Sequence, residues 1–359
     1  MSTKFIRQMM ADFAPYHETK RMTYEDGIYL LALEKYYQVT KDEDFLTNID
    51  AYLKRHIDEA GMIENYHLEE YNIDNILAGN ALFFAYEKTH EKRYLKAIEL
   101  LRTQLKTHPR TKSGSFWHKL RYPYQIWLDG LYMGQVFYLH YGLIQEDEAI
   151  IADCMKQIEN VRDLLWDEDK KLYLHAYDER KVMQWADKKT GRSPNVWSRS
   201  VGWLAMAFVE LYDLLEGKGV FAKRLAQLLL ELLEGMLIQL DPTSKMWHQL
   251  VDKPSVEGNY LETSGSAMLA YAMLKGSRLG MLEKTYQTEG LSVLEGIEKK
   301  YLKEANGKLY LGGTCQVAGL DNERRNGSDR YYLSEKVVTN EIKGLAPYFF
   351  ALTERMQIK

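Results

Sequence analysis

Two aspartates draw attention by where they fall. Asp74, in NIDN, and Asp129, in WLDG, each stand just ahead of a helix that opens with small and apolar residues, at equivalent places in adjacent repeats. An Asp at a helix start most often caps it, its carboxylate accepting from free backbone N–H groups. Recurrence beside aromatic residues points to chemistry as well, because two carboxylates can divide acid and base roles between them. Close together in an aromatic-lined pocket, both cannot ionise easily, so one is pushed up. A helix N-terminus pulls the other way by favouring the anion. The sequence leaves open which effect wins.

The same kind of residue gathers ahead of the other small-residue helices. Asn72 and Asn75 accompany Asp74, while His118, Gln125 and Trp127 precede Asp129. Trp197, Arg199 and Trp203 surround the next helix start, and Tyr260, Glu262 and Ser264 the one after it. Trp197 and Trp203 flank Arg199, which suits a stacking platform for a sugar ring; the alternative is core packing. Arg199 either caps a carbonyl or grips a substrate carboxylate through its planar fork. Arg324, Arg325 and Lys343 bracket the last helix start and read as solvated or ion-paired groups that can also attract an anionic sugar.

The elements that position these residues form a degenerate repeat. Six apolar openings recur: GIYLLALEKYY from Gly27, GNALFFAYEKT from Gly79, LYMGQVFYLHYG from Leu131, VGWLAMAFVELY from Val201, SGSAMLAYAMLKG from Ser264 and KGLAPYFFALTER from Lys343. More charged amphipathic stretches follow the first four, among them DEDFLTNIDAYLKRHI at 42–57, where Thr40 and Glu43 have capping-box spacing. The fifth closing stretch, around 283–302, is expected to be interrupted at Gly290 and Gly296. Strand signals are sparse and no Pro/Gly/Ser-rich linker divides residues 1–359, so one all-α domain is expected. Hairpins that each bury one face can close into a ring, an (α/α)6 barrel, with the apolar openings inside and the charged helices outside. An open helical solenoid is the alternative.

Bulk properties narrow the function classes. A net charge of -4 without a Lys/Arg stripe argues against a nucleic-acid surface. No stretch approaches the roughly 20 apolar residues that span a bilayer. Cys154 and Cys315 have no metal-ligand spacing, and MSTKFIRQMMADF carries no leader-like apolar segment, so a cytoplasmic protein without a metal is expected. The 26 Tyr and 7 Trp fill cores but also wall sites that stack on sugars. Monomer and homodimer are both compatible with the apolar faces.

Five ordered blocks carry a resemblance: FWHKLRYPYQIWLDGLYMG (116–134), LYLHAYD (172–178), WADKKTGRSPNVWSRSVGW (185–203), YLETSGSAMLAYAMLKG (260–276) and AGLDNERRNGSDRYYLSEKVVTNEIKGLAPYF. In these the chain resembles glycoside hydrolase family 105, the WLDG and WSRSVGW blocks being the most specific. The resemblance implies an (α/α)6 barrel and removal of a 4,5-unsaturated galacturonyl residue from the non-reducing end of rhamnogalacturonan oligosaccharides. It places the general acid/base on Asp129, a second carboxylate on Asp74, and substrate contacts on His118, Trp127, His175, Trp197, Arg199 and Trp203. It implies no cofactor and no metal. The chain departs from the pattern in TNEIKG, where Glu341 replaces the more usual Asp. Three rivals remain: an unsaturated glucuronyl hydrolase, an inverting glycosidase acting on saturated sugars, and a sugar-binding protein that has lost the reaction. Retention of both Asp74 and Asp129 argues against the last.

Overall fold

The computed structural model describes residues 2–13 and 21–358. Its helices are α1 (Ser2–Phe13), α2 (Tyr24–Thr40), α3 (Glu43–His56), α4 (Asn80–Thr89), α5 (Lys92–Thr107), α6 (Val136–Ile144), α7 (Glu148–Leu165), α8 (Ser198–Leu214), α9 (Gly219–Ile238), α10 (Thr263–Arg278), α11 (Lys284–Tyr301), α12 (Asp329–Ser334) and α13 (Ile342–Gln357). The inner set is α2, α4, α6, α8, α10 and α13. Each touches the next, α4 meeting α6 through the Phe83 and Phe137 rings, and α13 returns to pack on α2, so the ring closes and the open solenoid is excluded. The fold is the expected all-α barrel.

Composition sorts the helices into layers. In α8, α10 and α13 nearly every residue of the first three turns is buried, because these helices are apolar or small all round and are covered on all sides. The outer α3, α5, α7, α9 and α11 bury a single stripe and show their charges to solvent. The sixth inner helix takes its outer partner from the opposite end of the chain: α1 docks on α13, with Phe5 against Tyr348 and Phe349.

Two local expectations are corrected. Helix α11 runs unbroken through Gly290 and Gly296. A Cβ at Gly296 would lie 2.0 Å from the Ser244 carbonyl oxygen, so the residue serves close approach to a neighbouring loop. The capping box at Thr40 and Glu43 does not form either. Asp42 caps α3 by accepting from Asp44 N, while the Thr40 hydroxyl turns back to the Tyr36 carbonyl. A capping box is found instead at Thr23 and Asp26, ahead of α2.

The second and third inner helices begin irregularly. A 3-10 segment, Ile73–Gly79, leads into α4, and a π turn, Leu131–Gln135, leads into α6. The two segments interlock: Ile73 packs against Gly134, where an added Cβ would come within 2.7 Å of its side chain. Short antiparallel strands tie the loops of this end together, notably Gln125–Trp127 with Ala176–Asp178. These loops build a small second core, in which Trp127, Trp185, Trp197, Leu320 and Tyr332 pack above the main one.

Candidate active site

The irregular starts of the second and third units carry the two aspartates. Asn72 caps the 3-10 segment by accepting from Asp74 N at 3.1 Å, which leaves the Asp74 side chain free to face outward. It lines an open groove with Arg21, Tyr24, Glu25, Lys119 and Arg121. Lys119 Nζ donates to Asp74 Oδ2, and His118 Nε2 lies 3.7 Å from Oδ1. Burial alone would push this carboxyl up. Lys119, then His118 and Arg121, outweigh burial and hold it below the usual carboxylate range. Burial pushes His118 down to about 4.

Asp129 opens the helical turn after the Gln125–Trp127 strand and keeps 14% of its side chain exposed. Its Oδ2 is buried and has no aligned hydrogen bond among the described residues; His175 Nε2 stands 3.3 Å away. His175 is fully buried between Trp127 and Trp197, with ring centroids at 5.3 and 4.8 Å, and its Nδ1 is 2.6 Å from the Tyr332 hydroxyl. The backbone fixes the pair, since Leu128 N donates to the His175 carbonyl.

The expected carboxylate pair therefore takes a different form. Each aspartate faces its own partners, Asp74 a lysine and a histidine and Asp129 a histidine, and Asp74 is shifted down rather than up. An adjacent cation is a stronger perturbation than a second carboxylate held further away.

Around the aspartates, the His118 ring and the Tyr122 ring both lie parallel to the Trp127 indole, at 4.4 and 5.1 Å. Trp127 Nε1 donates to Gln125 Oε1, which fixes the indole. Trp197 and Trp203 are each 1% exposed: the Trp197 nitrogen donates to Gln249, and Trp203 stacks on Tyr132 inside the main core. Neither presents an open face, so the expected indole platform around Arg199 does not form; Trp127 too is buried in the small second core, with Tyr122 stacked on it. Arg199 is buried as well, donating to Ser264 Oγ and the Cys315 carbonyl, with its Nη2 3.8 Å from Glu262 Oε1. It caps a carbonyl.

Glu262 itself caps α10 and accepts from Ser264, Gly265 N and Cys315 N, a structural network. Lys343 is ion-paired with Glu25 and Glu341. Arg324 is solvated, whereas Arg325 reaches back toward Gly319 beside Trp127. Sequence reasoning missed Lys119, Tyr122 and Tyr332. Lys119 adjoins His118 in the same block, so its place was visible; nothing local signals that Tyr332 meets His175 across 157 residues. Among the described residues, no group of three or more His, Cys, Asp or Glu side chains is arranged to hold a metal ion, and no helix is long and apolar enough to cross a membrane.

A ring of helical hairpins whose inner-helix starts carry buried carboxylates beside aromatic rings is an α/α barrel with a candidate site at one rim. The model of Glycosyl Hydrolase Family 88 matches residues 1–359. A solved family 105 glycoside hydrolase of C. acetobutylicum superposes with a TM-score of 0.93 and is 38% identical, over 98% of this chain and 99% of its own. A protein of Agrobacterium fabrum is 35% identical over 232 residues, 62% of this chain and 98% of that protein. The unsaturated rhamnogalacturonyl hydrolase YesR of Bacillus subtilis is 25% identical over 279 residues, 76% of this chain and 75% of that protein. The chain thus belongs to Glycosyl Hydrolase Family 88 and, with the C. acetobutylicum protein, to glycoside hydrolase family 105.

Proposed function

We propose that this protein, acting as one catalytic domain, removes a 4,5-unsaturated galacturonyl residue from the non-reducing end of rhamnogalacturonan oligosaccharides, with Asp129 as general acid and base. The observation that carries this reading is the buried Asp129 Oδ2, which has no aligned donor among the described residues and lies 3.3 Å from His175 Nε2. A buried acceptor without a partner is a costly arrangement in a structural role and suits a group that exchanges protons. The likeness to the B. subtilis hydrolase supports the substrate class.

Protonated Asp129 delivers its proton to C4 of the enol ether, and positive charge develops at C5. The resulting carboxylate takes a proton from the water that attacks C5. The hemiketal so formed opens and the glycosidic bond breaks. Asp74, kept anionic by Lys119, stabilises the developing cation rather than donating. Arg121, which lines the groove, lies over the Tyr122 ring and has no carboxylate partner among the described residues, receives the uronate carboxylate.

The test follows the ultraviolet absorbance of the C4=C5 bond in an unsaturated galacturonyl-rhamnose disaccharide. An unsaturated glucuronyl disaccharide and a saturated galacturonyl one run alongside. Loss of absorbance on the first substrate, reduced at least ~100-fold in a folded Asp129→Asn variant, is expected from the usual worth of a general acid. Faster decay of the glucuronyl substrate moves the specificity. Undiminished activity of Asp129→Asn removes the acid/base assignment.

A further inference from the structure

His175 is enclosed on every side, and what surrounds it determines which of its nitrogens bears the hydrogen. Its Nδ1 lies 2.6 Å from the Tyr332 hydroxyl, and its Nε2 lies 3.3 Å from Asp129 Oδ2. Tyr332 is itself immobile. It sits on α12, which Ser328 caps and which Lys253 ties down through Asp329, and its carbonyl accepts from Gln249. The phenol is fully buried, and burial holds it well above the usual tyrosine range, so the hydroxyl keeps its hydrogen.

A buried hydroxyl hydrogen needs an acceptor. Among the described residues, the one hydrogen bond of the Tyr332 hydroxyl is to His175 Nδ1. If Nδ1 carried a hydrogen, two donors would face each other or the phenol hydrogen would be stranded. A bare Nδ1 avoids both and leaves the ring's single hydrogen on Nε2.

We infer that Tyr332 is a positioning residue: by donating to Nδ1 it fixes His175 in the tautomer that carries its hydrogen on Nε2, the nitrogen 3.3 Å from Asp129 Oδ2 though not aligned on it in this structure. This inference rests on the reading of Asp129 as general acid and base. The other titratable groups facing the pair are His118 with its partners Asp74 and Lys119, Tyr331 against the Tyr332 ring, and Cys315 beyond it. None of these touches Nδ1. As Asp129 gives up its proton, the waiting N–H gains a charge-assisted bond to the carboxylate that forms, and proton release is eased. Were the hydrogen on Nδ1, Nε2 would only accept, which favours the protonated acid and opposes release.

Tyr332→Phe keeps the ring and removes the donor. Its kcat is expected to fall about tenfold with KM nearly unchanged, since a hydrogen bond of this kind is worth roughly one decade. The alkaline fall of kcat is expected to move to higher pH, because the N–H that favours the carboxylate is lost. Nitrogen-15 spectra of histidine-labelled protein read the tautomer directly, with His175→Gln as the assignment control. A wild-type His175 with its hydrogen on Nε2, lost or mixed in Tyr332→Phe, supports the inference. A wild-type hydrogen on Nδ1, or an unchanged tautomer and pH profile in Tyr332→Phe, overturns it. Activity retained in Asp129→Asn would instead remove the acid assignment, a failure that the nitrogen spectra separate from this one.

Discussion

At the scale of single residues, the site works by giving two identical side chains different neighbours. Asp74 is enclosed, but the Lys119 ammonium on its Oδ2 more than offsets the burial, and the carboxyl stays below the usual range. Its contribution to stability is therefore present above the unfolded value near 3.8 and is lost as pH falls through the lower folded value. Replacing Lys119 by Met leaves burial and removes the cation. Carbon-13 titration of the Asp74 carboxyl should then show its pKa rising, as burial acts without the cation. The rate on unsaturated substrate should fall by roughly 10- to 100-fold, the worth of a charged hydrogen bond. A carboxyl that titrates as before would mean that Lys119 does not govern it.

At the scale of elements, irregularity is concentrated beneath the two aspartates. The 3-10 start of the second unit and the π turn of the third stand under Asp74 and Asp129, whereas α8 and α10 begin as ordinary helices. Such turns swing side chains out of the regular helical path. The course of the outer helix α11 is set by packing. Gly296 lets α11 pass within contact of the Ser244 carbonyl, so Gly296→Ala forces the two apart. Thermal or denaturant unfolding should show a loss of about 1–3 kcal/mol, with kcat unchanged below the transition. An unaltered midpoint would show that the loop yields freely.

Across the whole molecule, the ring encloses histidines that must stay neutral. Burial pushes His108, His118 and His140 each down to about 4. The unfolded chain takes up their protons near 6.5 while the folded chain does not, so stability falls as pH drops from about 6.5 toward 4. Glu34, which burial raises to about 7, acts in the opposite sense, adding stability as pH falls from about 7 toward 4.5. His56 and His248 are lowered in the same sense as these three and Glu341 is raised as Glu34 is, so five histidines stand against two glutamates and the denaturant midpoint should be lower at pH 5 than at pH 7. The reverse order would show that these rings protonate in place.

The sequence by itself determined the repeat, the inner and outer layers and the two aspartates, because helical periodicity and residues at helix starts are local properties. It also carried the blocks by which family membership was read. It did not determine how the ring closes: α1 and α13 are the first and last helices, and only tertiary packing sets Phe5 against Phe349. Nor did it determine which indoles face the site. Trp197 and Trp203 resemble a platform by spacing, but the small second core and Tyr132 cover them, while Trp127 is turned parallel to His118. The environment of each carboxyl was likewise beyond it. Charge and dielectric act through space, and the groups that decide them, Lys119 on Asp74 and Tyr332 behind His175, are brought into place by the folded chain.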